Sequence, residues 1–305
     1  MLLFSMSINL SLLQNFKNTD FYVDPFPHVI IHDALPEETY AKLKDAAPSD
    51  LIPDKSLDNV RGNIYFNQIE NRPQNKMFLE FLNYHNSEEY YEEFTSIFKD
   101  QLNEFYPNLI NTTRKLIKKK NFFYNKSLKP KKENFVRFSS SYSYNTPVKS
   151  SSFIVGPHLD HYDKINFGLY YLRLDEDKSE GGDLVLYKWK NGYNNFQKKN
   201  ILFTERKSNM SSHTESLKTL KYKKNTFILV LNSIDSLHGV TPREKTDHIR
   251  QFCYFSISSN KDLGFATPNL IEIILFKNIS FDKKIKIIFN SIKSWLIKFL
   301  NKFKK

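Results

Sequence analysis

FIVGPHLDHYDKINFGLYYL, residues 153–172, sets an imidazole and a carboxylate two positions apart inside sequence that otherwise reads as strand. Side chains at i and i+2 of a strand share a face. His158 and Asp160 therefore converge on one side, and Leu159 packs on the other. A neutral imidazole nitrogen and a carboxylate oxygen make two adjacent corners of a coordination sphere. A third ligand from another strand completes a facial set with open positions, the arrangement that suits non-haem Fe(II). Alone, the triplet is common and fits a surface or core role equally well. His161 falls on the opposite face and reads as a rim residue.

The downstream segment TFILVLNSIDSLHGVTPREKTDHIRQFCYFSIS, residues 226–258, reads as strand, loop, His238, turn and returning strand. Gly239 permits close backbone approach, and Pro242 through Asp247 carry turn chemistry. On the returning strand Arg250, Phe252, Tyr254 and Ser256 share one face, while Gln251, Cys253 and Phe255 share the other. A guanidinium on an inward face calls for an anion, and a carboxylate matches its planar fork. Arg243 is expected to lie exposed in the turn, and His248 to be structural.

Around these segments the chain changes character at Asn134. Downstream come NFVRFSSSYSYN, FIVGPHLD, INFGLYYLRL, DLVLYKW, NTFILVLN and RQFCYFSIS, short β-branched and aromatic runs with SEGGD as the clearest turn. Their spacing predicts an all-β sandwich or barrel. Upstream, HVII predicts a strand, Leu35-Pro36-Glu37-Glu38 opens a helix that Pro48 ends, and residues 76–106 carry helical periodicity. Residues 282–305 form a basic amphipathic pattern, expected to dock, to dimerise or to lie on a membrane surface. The fold class is thus α+β, mainly a β core, with helices before it and one after.

The 305 residues include one cysteine, Cys253, which excludes an internal disulfide framework and a cysteine-based zinc site. The net charge of +12 is concentrated. Residues 276–305 hold nine Lys against one Asp, and residues 111–132 hold nine Lys or Arg and no acid. Such runs read first as a solvated tail and loop, so the charge gives no specific nucleic-acid signal. MLLFSMSINLSLLQNF lacks a basic leader region and reads as a leading helix or cap. No apolar run of about 18 residues suggests a spanning helix; the single cysteine suits a reducing interior, and the expected compartment is cytoplasmic, with association at the inner membrane surface as the variant. No GxSxG elbow, P-loop or dinucleotide fingerprint offers a rival chemistry.

Taken together, GPHLDHYDK, LYYL, EGGDLVLY, LHGVTPRE and an arginine twelve residues after His238 resemble the 2-oxoglutarate- and Fe(II)-dependent oxygenases, particularly the prolyl-4-hydroxylase-like branch. DPFPHVIIHDALPEETYAKL also looks like that family's opening strand and helix, so the resemblance covers about 25–48 and 134–258. It implies a double-stranded β-helix (jelly-roll, cupin-like) at 134–260, an N-terminal helical region with the basic loop at 1–133 in the same catalytic unit, and a basic extension at 261–305. It implies His158, Asp160 and His238 as Fe(II) ligands and Arg250 as the grip on the distal carboxylate of 2-oxoglutarate. Dioxygen is the oxidant it implies, with ascorbate as reductant. Many relatives carry a serine two residues beyond that arginine; here it is Phe252, so a second donor must come from elsewhere, with Tyr142, Tyr144, Tyr170 and Tyr171 as candidates and Tyr144 the one named. The implied activity is hydroxylation of an unactivated C–H bond, in peptidyl proline, another protein residue or a small molecule, with release of succinate and CO2. A cupin-type metal enzyme without 2-oxoglutarate, and a β-sandwich binding module recruited by its basic tail, are the alternatives.

Overall fold

The alternating run at Val136–Asn145 forms a ten-residue strand, whose Val136, Phe138, Tyr142 and Tyr144 enter the apolar core while Arg137, Ser139, Ser141 and Asn145 line a cavity on the opposite face. The structure is a computed structural model that describes residues 9–53, 56–107, 109, 122–124, 136–150, 156–204, 210–259, 270–276 and 279–302. In chain order its strands are β1 (Phe21–Tyr22), β2 (His28–Ile31), β3 (Arg61–Tyr65), β4 (Phe122–Tyr124), β5 (Val136–Asn145) and β6 (Asn166–Tyr171). There follow β7 (Leu184–Trp189), β8 (Thr214–Leu220), β9 (Phe227–Leu231), β10 (His238–Val240) and β11 (Arg250–Ser259). The large sheet runs β1-β2-β9-β6-β11-β5-β3, with β4 added parallel to β5 and the remaining pairs antiparallel. The small sheet is β10-β7-β8, also antiparallel.

Period-two alternation divides the core into two layers. One face of the large sheet supplies Val29, Tyr142, Tyr170, Leu229, Cys253 and Phe255 to a cluster shared with the helices. In the helix Lys76–Tyr84 the spacing puts Phe78, Phe81 and Leu82 on one buried stripe, and Phe81 lies 5.8 Å from both the Tyr170 and Phe255 rings. Burying each such side chain contributes about 1.5–3 kcal/mol. The helix Glu88–Ile97 starts where Ser87 caps the Tyr90 amide and two glutamates occupy the first turn. The other face carries Ile30, Phe167, Tyr171, Ile228, Val230 and Phe252, which meet Leu184 and Leu186 of the small sheet. The result is helices, large sheet, small sheet, a mixed architecture with a large, mainly antiparallel sheet.

Several expectations need correction in detail. The strand expected through His158 is reduced to a single bridge with His238. β3 and β8 are strands the sequence pattern does not announce: one is a short edge strand containing Gly62, and the other, TESLKTL, has mostly exposed side chains. A further helix, Asn195–Thr204, follows the Asn191-Gly192 turn. β1, β2 and β3 come from the N-terminal region yet extend the same large sheet. The basic segment 111–132 lies outside the described residues apart from β4. In the C-terminal helix Phe281–Lys302, Ile287 packs against the Ile273, Phe276 and Ile279 cluster, while Phe281, Ile285, Phe289 and Ile292 stand exposed. No described helix is long and apolar enough to cross a membrane.

Candidate metal centre

β10 begins at His238, whose Cα pairs with Leu186 of β7. On its other side the His238 backbone exchanges two hydrogen bonds with His158, at 2.9 and 3.0 Å. Directly opposed residues of an antiparallel pair bring their side chains together, and the two imidazole centroids stand 4.4 Å apart. Asp160, two residues on from His158, joins them. One ligand atom from each of His158, Asp160 and His238 lies within 4.8 Å of the other two.

Each imidazole is set in one tautomer by a carbonyl two residues upstream. His158 Nδ1 donates to the Gly156 oxygen at 2.8 Å, and His238 Nδ1 donates to the Ser236 oxygen at 3.0 Å. A carbonyl only accepts, so Nδ1 carries the proton and Nε2 is the basic nitrogen on both rings. Burial, reinforced by the neighbouring His158, lowers the His238 pKa to about 4. For Asp160, burial opposes ionisation, but Lys164 and the two imidazoles outweigh it and hold the carboxyl at about 2. At neutral pH His238 and Asp160 are therefore already in their ligating forms. Two imidazole nitrogens and one carboxylate oxygen fit a divalent transition metal such as Fe(II).

A second set of contacts orients the carboxylate. Lys164 Nζ and the Tyr254 hydroxyl both reach Asp160 Oδ2 at 3.1 Å, and Lys164 also donates to the Tyr254 oxygen at 2.5 Å. The carboxylate is thereby held in place through Oδ2. The Phe167 ring packs tilted against the His238 imidazole, centroids 4.2 Å apart.

The three ligands line a cavity of about 290 Å³ between the sheets. Arg250, Phe252, Tyr254 and Ser256 all line it, as their alternation on β11 requires. Arg250 is 4% exposed, yet its Nε finds no hydrogen-bond partner and no carboxylate pairs with it among the described residues. Instead its guanidinium lies 5.2, 4.8 and 4.7 Å from the rings of Tyr171, Tyr222 and Phe252. Asn145, abreast of Arg250 on β5, lines the same cavity and also has an unpartnered buried amide nitrogen, Nδ2. Two unsatisfied donors on neighbouring strands are costly unless an acceptor enters.

The glycine pair of SEGGD makes room for this corner. Gly181 and Gly182 have φ of +78° and +72°, and a Cβ at Gly182 would stand 3.2 Å from Arg250 Nε. The turn therefore closes directly over the arginine.

Two expectations are overturned. Arg243 is buried, not exposed: its guanidinium donates to the Thr146 oxygen, Asn59 Oδ1 and the His248 oxygen at 2.9 to 3.1 Å. Tyr144 does not line the cavity. It faces the helical side, in the apolar cluster and against Gly62, because Asn145, Ser143 and Ser141 take the inward parity. Tyr142 and Tyr170 are also on that side, bonded to Gln251 and Asn225, whereas Tyr171 meets Arg250 through its ring. His161 is exposed and bonds Asp163. Lys164 and Asn145 escape sequence reasoning. Lys164 follows Asp160 by four residues, and Asn145 is identified only by its register against Arg250.

No family model and no curated protein matches the chain. Solved structures do. A prolyl-4-hydroxylase from Pseudomonas putida matches at 13% identity over 76% of this chain and 91% of that one, with a TM-score of 0.37. A Trichoplax adhaerens prolyl hydroxylase, solved with a peptide fragment of hypoxia inducible factor, matches at 12% over 79% and 87%, TM-score 0.40. HygX from Streptomyces hygroscopicus, solved with nickel and 2-oxoglutarate, matches at 9% over 76% and 82%, TM-score 0.35. The chain is similar to these proteins. At such TM-scores the likeness bears no weight below, where the side chains alone are used.

Proposed function

We propose that this protein is a 2-oxoglutarate- and Fe(II)-dependent oxygenase, with the two facing sheets read as a double-stranded β-helix. The observation that carries the reading is the coincidence, in one cavity, of the His158, Asp160 and His238 cluster with the buried Arg250, whose guanidinium Nε has no partner and which no carboxylate pairs among the described residues. The metal accounts for the first and the distal carboxylate of a dicarboxylic cosubstrate for the second. When bound, iron and cosubstrate supply the oxidising power: substrate C–H, O2 and 2-oxoglutarate become C–OH, succinate and CO2.

The chain's own residues have three tasks. His158, Asp160 and His238 would hold the metal, the imidazoles through Nε2 and Asp160 through a carboxylate oxygen. Arg250 and the Asn145 amide anchor the far end of the cosubstrate and restrict it to few poses. Asn145 takes the part of the second donor that Phe252 leaves open. Phe167, Leu169, Leu184 and Phe252 keep the walls apolar and limit bulk water.

The deciding experiment is anaerobic titration of the protein with Fe(II) and then 2-oxoglutarate, followed by exposure to air and assay of succinate. A 2-oxoglutarate-dependent visible absorption band and succinate release are expected, both lost in His238→Ala. Metal uptake with normal turnover of some other substrate in Arg250→Ala would instead identify a cupin-type enzyme that does not use the 2-oxo acid.

A further inference from the structure

Positive charge outnumbers negative around the cavity. Arg61, Arg137, Lys164 and Arg250 line it, with Asp160 as the lining carboxylate. A divalent metal and a dicarboxylate cosubstrate cancel each other and leave that surplus in place. Lys164 is engaged by Asp160, Arg137 lies 3.6 Å from Asp163, and Arg250 faces the cosubstrate end. Arg61 remains. Among the described residues it has neither a hydrogen bond from its guanidinium nor a carboxylate at salt-bridge distance.

Its position is nevertheless fixed. Arg61 opens β3 abreast of Asn145, and Asn145 is abreast of Arg250, so the two arginines flank the asparagine on three adjacent strands. The Arg61 guanidinium lies over the wall, its carbon 5.4 Å from the centre of the Phe252 ring and 6.0 Å from that of Tyr254. Tyr254 holds the metal ligand Asp160 and Phe252 underlies Arg250, so Arg61 sits where the metal end and the cosubstrate end meet. Unlike Arg250 it is exposed to solvent, although it lines the same cavity. Asn63 and Tyr65, alternating on the same strand, extend the lining outward with Ser139 and Ser141 of β5. A guanidinium stacked on aromatic rings keeps its in-plane donors directed at a ligand. The cavity is at the small end of ligand sites, which run from about 300 to 1,000 Å³.

Resting on the oxygenase reading, we propose that the prime substrate is anionic, and that Arg61 binds its carboxylate or phosphate group at the mouth while the carbon to be oxidised enters the cavity.

The test uses the full chain loaded with Mn(II) in place of iron, with 2-oxoglutarate, under argon. Manganese enhances the nuclear relaxation of a small probe bound nearby. The probes are acetate and methylphosphonate, each with its neutral twin, acetamide and dimethyl methylphosphonate. Saturable enhancement is expected for an anion and not for its twin, and whichever anion responds tells carboxylate from phosphate. Arg61→Met, which keeps the stem on the rings, should reduce the enhancement at least fivefold, and Arg61→Lys should retain part of it. Equal enhancement of charged and neutral twins, no saturable anion at all, or anion binding unchanged in Arg61→Met overturns the proposal. So does an Arg61→Met protein that loses 2-oxoglutarate on dialysis but still relaxes the anion, since Arg61 would then serve the cosubstrate. Manganese resonance and 2-oxoglutarate retention are read on the same samples. A protein that binds manganese and the anion but never 2-oxoglutarate sinks the oxygenase reading and leaves the Arg61 anion site standing.

Discussion

The Tyr254 hydroxyl donates to Asp160 Oδ2 at 3.1 Å, from the strand that also carries Arg250 four residues earlier. One strand thus orients the carboxylate ligand and presents the cosubstrate anchor. Tyr254→Phe should leave the fold intact and loosen Asp160, weakening divalent metal binding by about tenfold, within the 10- to 100-fold range typical of such supporting contacts. Lys164→Met removes the other bond to Oδ2 and should act in the same direction. Titration with Co(II), followed by its absorption spectrum, reads both. Unchanged affinity in the double variant would show that the carboxylate needs no such support.

Arg250 and Asn145 make separable predictions for the cosubstrate end. Arg250→Ala removes a charge-assisted grip, which costs roughly 2–5 kcal/mol when one member of a buried pair is truncated. The 2-oxoglutarate concentration for half-maximal succinate formation should rise by about thirtyfold at the lower end of that range and by some three orders of magnitude at the upper. Asn145→Ala removes one hydrogen bond to a charged group, about 1.5–3 kcal/mol, and should raise it roughly 10- to 150-fold. Metal binding in the absence of 2-oxoglutarate should be unaltered in both, and equilibrium dialysis with radiolabelled 2-oxoglutarate checks the same ranking without turnover.

How far the site can be read from the sequence depends on how local the determining physics is. His158 and Asp160 require only period-two geometry, and His238 only a strand that ends in a turn. Arg250 follows from alternation along one strand. Tyr144 is a different matter, because the face it takes depends on the Asn145–Arg250 register, and one residue of slip exchanges every side chain between faces. Arg243 looks like a solvated turn residue until two turns distant in sequence close on each other, with Gly181 against the Pro242 carbonyl. β3 announces itself neither by hydrophobicity nor by β-branching; its place comes from pairing with β5. The helices at Glu37–Asp45 and through 76–106 are legible because their apolar stripes are long and their ends carry acids or prolines.

Gly182 tests whether the SEGGD turn shapes the arginine pocket or merely reverses the chain. Its φ of +72° disfavours any side chain, and an added methyl would press on Arg243 Cγ and Arg250 Nε at 3.0 and 3.2 Å. Gly182→Ala should cost about 1–2 kcal/mol from backbone strain alone, read as a lower urea midpoint. It should also raise the 2-oxoglutarate requirement by displacing Arg250. A stability loss with an unaltered requirement would confine the glycine's role to the turn.

His85 ties acid stability to the layer behind the sheet. Its ring is buried among Phe81, Tyr90 and Phe255; Nδ1 donates to the Phe81 oxygen at 2.8 Å, and Nε2 accepts from the Leu12 amide at 3.3 Å. Both nitrogens are used only if the imidazole is neutral. Burial accordingly lowers its pKa from the usual 6.5 to about 3. The unfolded chain binds a proton below 6.5 that the folded chain refuses until about 3, so stability rises with pH across that window and is lost as pH falls through it. At about 1.4 kcal/mol per pH unit the full loss is on the order of 4–5 kcal/mol. His85→Gln offers a donor and an acceptor of similar reach without titrating. Unfolding free energies from urea melts at several pH values between 4 and 7 should show a flatter acid limb in the variant. Parallel limbs in the two proteins would assign the acid sensitivity to other groups.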